Sequence, residues 1–317
     1  ALAGKKVKVI EQNYLPGGCV SSYWRKGFVF EAGATTLVGL DKGQPLHYLL
    51  DTIGVHLPAR KLELPMQIRM KSGRIINRHQ NIEDWINEAK AEFGYENQEP
   101  FWRFCLKISQ FVWDTSLKQR TFPISNWSDL ANSLMNSTPL QLWNARWCLF
   151  SIQDLLIKYN LHRNDDFVDF VNAQLMITAQ NTIENVNVLF GATALCYTNF
   201  GNYYLDGGLI SLSNALIDFL KLKGGEISFR EKVEKVSQNL NGNYHIKTSK
   251  SEFEAAFVVS GIPLNNTIEI FDESVKKRLK SKLMTSKQLN SAFQMGIGFK
   301  KTKSFSTIHF QIHLENI

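Results

Sequence analysis

The sequence predicts an α/β fold: a Rossmann-like sheet-and-helix unit interrupted by a long, largely helical insert. Three observations predict it. The apolar residues Val7, Val9 and Ile10 run into Glu11 and then into the paired glycines Gly17 and Gly18, as a strand feeding a tight turn would. Far downstream, Gly207-Gly208 opens a segment with Leu209, Leu212, Leu216 and Phe219 on one helical face, closed by Gly224-Gly225 and followed by strand candidates. Between them, Glu83 to about Phe200 reads mainly as helices rich in aromatic residues.

In chain order, Ala1 to Gly4 looks like the last turn of a helix, with Gly4 suited to the left-handed position beyond it. The strand Val7 to Ile10 follows, then a second strand in GFVFEAG, Gly27 to Gly33. Gln67 to His79 alternates around Ser72-Gly73, which predicts a hairpin. Asn81 has the chemistry of a helix N-cap, with Asp84 in the place of a capping-box acid. Trp102, Phe104, Phe111, Trp113, Trp127, Trp143, Trp147, Phe150, Phe167 and Phe170 of the insert are expected mostly in the core, although rings in such number could also line a long apolar pocket. Strand candidates after the second glycine helix are Glu226 to Gln238, Tyr244 to Thr248 beyond the turn Asn241-Gly242-Asn243, and Ala255 to Ser260.

A chain of 317 residues with 44% hydrophobic content can bury a large core in two units, which excludes disordered and collagen-like classes. The four cysteines, Cys19, Cys105, Cys148 and Cys196, are scattered without metal-knuckle or disulfide spacing, so no metal is expected, and a reduced, cytoplasmic protein is. The net charge of +7 permits an anionic partner. Nucleic acid is disfavoured, because the basic residues carry no recognition motif or stacking platform. The basic run Val275 to Lys287 places Val275, Leu279 and Leu283 four apart, a pattern that suits either a surface helix packing on its own domain or peripheral membrane contact.

The carboxylate and the glycines acquire a chemical meaning together. In a dinucleotide-binding βαβ unit, the second strand ends in an acid that accepts hydrogen bonds from ribose hydroxyls, and glycines let the backbone approach the ligand. Glu11 stands where that acid would stand, although a strand ending in a solvated acid is the plain alternative.

Three blocks in order resemble the FAD-dependent amine-oxidase and phytoene-desaturase superfamily, and within it the branch of carotenoid desaturases, carotenoid isomerases and retinol saturases. They are LAGKKVKVIEQNYLPGGCVSSYWRKGFVFEAGA, YYLDGGLISLSNALIDFLKLKGGEISFREKVEKV and FEAAFVVSGIP, with a weaker likeness through SAFQMGIGF. The resemblance implies a Rossmann-like FAD-binding domain of glutathione-reductase type, lacking its first strand, over 1–54 and 203–263. It implies a largely helical α+β substrate domain over 55–202 and 264–317.

Carried over by position, Glu11 would bind the adenosine ribose, while Gly17 and Gly18 would let the backbone come close to the dinucleotide. Ser21 and Ser22 could donate hydroxyls to phosphate or ribityl oxygens, ordinary loop serines being the alternative. Gly33, Ala34 and Thr35 would pass near the isoalloxazine, with Gly207 and Gly208 nearby; Val233 would present its main chain to adenine, and Ser260 belongs to the strand leading back under the cofactor.

Departures from the family pattern are Cys19 where Arg is frequent, Glu31 where Asp is usual, and the lack of counterparts to the GxGxxG turn and the C-terminal flavin segment. A fragment truncated at both ends is therefore expected, binding FAD poorly and inactive by itself. The implied activity is that of an FAD-dependent oxidoreductase acting on a long apolar polyene or prenyl substrate by desaturation, saturation or isomerisation. An amine oxidase-like flavoprotein and a non-catalytic lipid- or prenyl-binding protein are the alternatives. No catalytic residue is assigned; His309 in STIHFQIH is the group to test, a structural strand histidine being its plainer reading.

Overall fold

The computed structural model describes residues 1–117, 126–285, 293–300, 302 and 309–312. Along the chain come β1 (Lys8–Ile10), β2 (Ser22–Arg25), β3 (Phe28–Glu31), α1 (Pro45–Ile53), β4 (Ala59–Lys61), β5 (Met66–Arg69) and β6 (Ile75–Arg78). The helices α2 (Ile82–Phe93), α3 (Gln98–Ser116), α4 (Trp127–Met135), α5 (Pro139–Ala145), α6 (Ile152–Lys158), α7 (Asp165–Thr178) and α8 (Val188–Leu195) follow. The remainder is β7 (Tyr203–Leu205), α9 (Ile210–Leu222), β8 (Glu226–Ser228), β9 (Val233–Gln238), β10 (Tyr244–Thr248), β11 (Glu252–Ala255), α10 (Leu264–Ile270), α11 (Glu273–Leu279) and β12 (Phe310–Ile312).

The chain forms two compact units, 1–34 with 207–298 and 35–206 with 299–317. The first crossing falls earlier than residue 54 because Leu37 exchanges backbone hydrogen bonds with Tyr203, and β4 pairs with β7, which ties the stretch after Ala34 to the helical unit. Residues 264–298, expected with the insert, group with the first unit: Phe271 bridges Val236, and the Asp272 carboxylate accepts from the Gln238 amide at 2.8 Å.

In the first unit, β1 lies parallel to β8, with Lys8 opposite Glu226 and Ile10 opposite Ser228. Parallel neighbours need a long connection, and here α9 is the helix that leads into β8. The expected strand Glu226 to Gln238 is two strands, broken at Phe229 to Lys232, where the chain leaves β1 and enters the antiparallel meander β9, β10, β11. Ala255 to Ser260 is corrected: the ladder ends at Ala255, and Phe257 and Val259 are exposed, because no described strand takes up the backbone groups beyond that point.

In the second unit, the predicted hairpin is β5 and β6, with Met66 opposite Arg78, and β12 adds parallel to β5. Asn81 caps α2 as expected, its Oδ1 accepting from the amides of Glu83 at 2.8 Å and Asp84 at 3.3 Å. The aromatic forecast divides: Trp102, Phe167 and Phe170 are fully buried in the core with Trp85 and Phe101, whereas Trp127, Trp143 and Phe150 are exposed. Edge-on contacts such as Trp85 against Trp102, with centroids 5.0 Å apart, are the favoured geometry of packed rings. Among the described residues, no helix is long and apolar enough to cross a membrane.

Candidate functional site

The sequence-predicted residues of the first unit stand at several places: Glu11 follows β1 beside β8, Ser22 bonds the start of α9, Val233 opens β9 and Ser260 bonds α10. The Glu11 amide donates to the Ser228 carbonyl at 2.8 Å, and the Glu11 carbonyl accepts from the Glu231 amide at 3.0 Å. Glu11 is therefore bonded through its own backbone to the segment from Ser228 to Glu231, which leads out of β8 towards Val233 at the start of β9 in the neighbouring sheet. The Glu11 carboxylate turns back to accept from the Asn13 amide at 2.7 Å. Val233 itself is half-buried and pairs with Thr248 across a register shift in the β9–β10 ladder.

Sequence reasoning missed Glu231. This buried carboxylate accepts from the hydroxyls of Thr248 at 2.5 Å and Ser251 at 2.9 Å, and those bonds hold it below the usual carboxylate range. It fastens the segment between β8 and β9 to the β10–β11 turn, and no local pattern in the sequence announces partners 17 and 20 residues away.

Gly17 and Gly18 differ. Gly17 has φ 98°, and a Cβ there would collide with Ser213 Oγ and with the Val20 carbonyl oxygen 2.6 Å away, so its missing side chain is required by packing on α9. Gly18, at φ 55°, has nothing within 4 Å of where a Cβ would stand, leaving the backbone open to a ligand. Cys19 follows as an exposed free thiol. A Cβ on Gly33 would meet the Cys19 carbonyl at 2.8 Å, and the Ala34 amide donates to that same carbonyl at 3.3 Å, so Gly33 and Ala34 close onto the glycine turn.

The two serines also part company. Ser22 is buried, and its hydroxyl donates to Glu31 Oε2 at 2.6 Å. Ser21 is buried, and its hydroxyl has no hydrogen-bond partner among the described residues. Gly207 and Gly208 both have positive φ and form the turn before α9, where a Cβ on Gly208 would run into Ser22 Oγ. Ser260 shares a 2.7 Å hydrogen bond with Thr267 of α10. Thr35 is the first residue of the second unit.

In that second unit, His309 stands immediately before β12, and its carbonyl accepts from the Gln67 amide at 3.0 Å. Burial pushes its imidazole pKa below the ordinary 6.5. The folded state thus holds the neutral ring, and the unfolded chain takes up the proton first; this contribution to stability is whole above about pH 6.5 and declines as the pH falls through it. Denaturation midpoints measured from pH 8 to 5 should show a slope that His309→Gln flattens, and an unchanged slope would contradict the assignment. The basic run places Val275 and Leu279 half-buried on α11, while Leu283 lies past the helix end and is exposed; residues 286–287 lie outside the described residues.

A parallel strand pair followed by an acid, a glycine turn and a second glycine turn opening a helix are parts that a dinucleotide-binding α/β unit uses. Residues 1–307 match the family model described as flavin containing amine oxidoreductase, and the chain belongs to that family, whose cofactor is FAD. It is 22% identical over 325 residues to the chloroplastic prolycopene isomerase of Arabidopsis thaliana, covering 99% of this chain and 51% of that protein. It is 24% identical over 322 residues to the all-trans-retinol 13,14-reductase of Danio rerio, covering 96% of this chain and 51% of that protein. The chain thus spans about half the length of these relatives. An oxidoreductase from Methanosarcina mazei shares the fold, with a TM-score of 0.58 at 16% identity, over 89% of this chain and 59% of that one.

The residues fit such a cofactor. Among the described residues, the Ser21 hydroxyl is buried without a partner and the space beside Gly18 is open, and Glu11 follows a strand hydrogen-bonded to the one that leads towards Val233.

Proposed function

We propose that the chain is the adenosine- and flavin-facing part of an FAD-dependent oxidoreductase that acts on a long apolar polyene or prenyl substrate. The observation that carries this reading is the likeness, across nearly the whole chain, to a prolycopene isomerase and a retinol reductase. One name describes the isomerisation of a polyene and the other the reduction of one. When bound, FAD supplies the electron-accepting and electron-donating chemistry.

The chain's own residues orient and hold. Glu11 accepts from the ribose hydroxyls, which requires its carboxylate to leave the Asn13 amide or share it; Gly18 admits the ligand to the backbone; Ser21 donates its free hydroxyl. Gly33, Ala34 and the turn at Gly207-Gly208 shape the wall next to the ring system, and Val233 offers its main chain to the base. Ser260, tied to α10, is assigned to the same cofactor by position in the motif.

Replacing Glu11 by Ala should weaken FAD binding in the whole protein by about tenfold or more, since hydrogen bonds to a charged group contribute roughly 1.5–3 kcal/mol. Fluorescence titration with FAD checks this, and an unchanged affinity would remove Glu11 from the site. Product analysis after incubation with carotenoids, retinoids and amines tests the substrate class: turnover confined to amines would establish the amine oxidase-like alternative. Binding of a polyene with neither FAD uptake nor turnover would establish a non-catalytic lipid-binding protein.

A further inference from the structure

The first turn of α9 is satisfied in an unusual way. Its cap residue, Leu209, lies in the helical region and offers no side-chain hydrogen bond of its own. A helix start leaves its first amides without intrahelical partners, and here they are taken by residues from the other end of the unit's sequence. Glu31, the last residue of β3, receives the Leu209 amide at 3.2 Å on Oε1 and 3.3 Å on Oε2. The Ile210 amide donates to Ser22 Oγ at 3.3 Å, and that hydroxyl in turn donates to Glu31 Oε2 at 2.6 Å.

One carboxylate therefore occupies the positive end of α9, where an anion is favoured, and Ser22 is the second leg of the same clamp. The fit is close: a Cβ on Gly208 would run into Ser22 Oγ and come within 3.0 Å of Glu31 Oε1. One helical turn on, Ser213 donates to the Val20 carbonyl at 3.2 Å, against the glycine face of Gly17. Directly after Glu31, the Ala32 amide donates to the Ser21 carbonyl at 2.8 Å, and Ala34 reaches Cys19. The clamp thus joins the glycine turn at residues 17–21, the end of β3 and the turn at Gly207-Gly208.

Resting on the flavin reading above, we infer that Glu31 is a positioning residue for the cofactor. It holds the two glycine turns in one arrangement before the flavin arrives, and it keeps the α9 N-terminus filled by the protein's own carboxylate, so that this helix end is not a phosphate site. The Glu31 carboxylate meets the Ser22 hydroxyl and the Leu209 amide together. Ser22 accordingly belongs to the clamp, and the donor free for the ligand is Ser21.

Amide hydrogen exchange on the whole protein without added FAD tests the clamp. Glu31→Ala should speed exchange at Leu209 and Ile210 by about tenfold, the usual consequence of losing a helix cap, and at Ala32 and Ala34 as well, while the last turn of α9 keeps its protection. Ser22→Ala should affect Ile210 more than Leu209. Unchanged exchange at Leu209 and Ile210 in Glu31→Ala overturns the clamp; a general rise across the unit would show loss of the fold, and Glu31→Gln, which keeps an acceptor for Leu209, then decides the matter.

The positioning role is read separately by FAD titration and the visible circular dichroism of bound flavin. Glu31→Ala should weaken binding by about tenfold and alter the flavin band, with Glu31→Gln restoring most of both. Lost protection with unaltered affinity and spectrum would overturn positioning. Failure of the unsubstituted whole protein to take up FAD would overturn the flavin reading, and with it the positioning role, while the exchange data still judge the clamp.

Discussion

Arg78→Ala should destabilise the helical unit by about 3–5 kcal/mol, the range set by large-to-small core substitutions combined with orphaned buried polar groups. Arg78 is fully buried on β6, and its guanidinium lies 3.9 Å from the Trp85 ring centroid and 5.2 Å from that of Trp102. It donates to the Leu195 carbonyl at 2.5 Å and to Thr198 Oγ1 at 2.7 Å, which places a cation at the C-terminal end of α8, the end that favours positive charge. Burial pulls its pKa down to about 10, so it remains charged near neutral pH.

Truncation leaves three losses together: a cavity among aromatic rings, a buried carbonyl and hydroxyl without a donor, and a desolvated cation–π stack worth roughly 2 kcal/mol. Arg78→Met restores most of the volume and removes the cost of burying charge, so its loss should be smaller, about 1–2 kcal/mol. Denaturant unfolding followed by tryptophan emission measures both. A cost for the alanine variant under about 1 kcal/mol, or no difference between the two, would show that the guanidinium is not what joins β6 to α8.

Gly17→Ala and Gly18→Ala should separate folding from ligand approach. At Gly17 the added methyl meets Ser213 and the Val20 carbonyl, and the left-handed backbone adds its own strain, so a loss of about 2–4 kcal/mol in the first unit is expected. At Gly18 the space is open, and the fold should lose only about 1 kcal/mol from the backbone conformation. FAD affinity should nevertheless fall at least about tenfold in Gly18→Ala, because the methyl stands where the ligand must approach the chain. Melting temperature and FAD titration, run on both variants, read the two effects. A Gly18→Ala protein with unaltered flavin affinity would move the cofactor away from this turn.

Local chemistry was legible wherever a short stretch settles its own conformation. The β5–β6 hairpin follows from alternation about Ser72-Gly73, and the α2 cap from an asparagine whose side chain reaches amides two and three residues on. The left-handed Gly4 and the helix from Gly207-Gly208 to Gly224-Gly225 are of the same kind. The family was legible too, in three sequence blocks standing in order, and the family model matches residues 1–307. The extent of strand pairing was not: Ala255 to Ser260 has strand composition, but a strand exists only if another backbone meets it, and composition is blind to that. Exposure of Trp127 and Trp143 beside burial of Trp102 was equally hidden, since one helical periodicity serves core and surface alike.

By itself the sequence determined the kinds of element, the glycine turns and the acid at the end of β1, all of which depend on contacts spanning a few residues. Tertiary structure alone decided which donors meet which acceptors: that Glu31 and Ser22 satisfy a helix start 178 and 188 residues away, that Ser21 keeps its hydroxyl free, and that Arg78 is buried against α8. The reason is physical. Backbone conformation is chosen by neighbours along the chain, whereas a buried charge or hydroxyl is stable only where the folded chain brings it a partner, and that partner's distance in sequence is unconstrained.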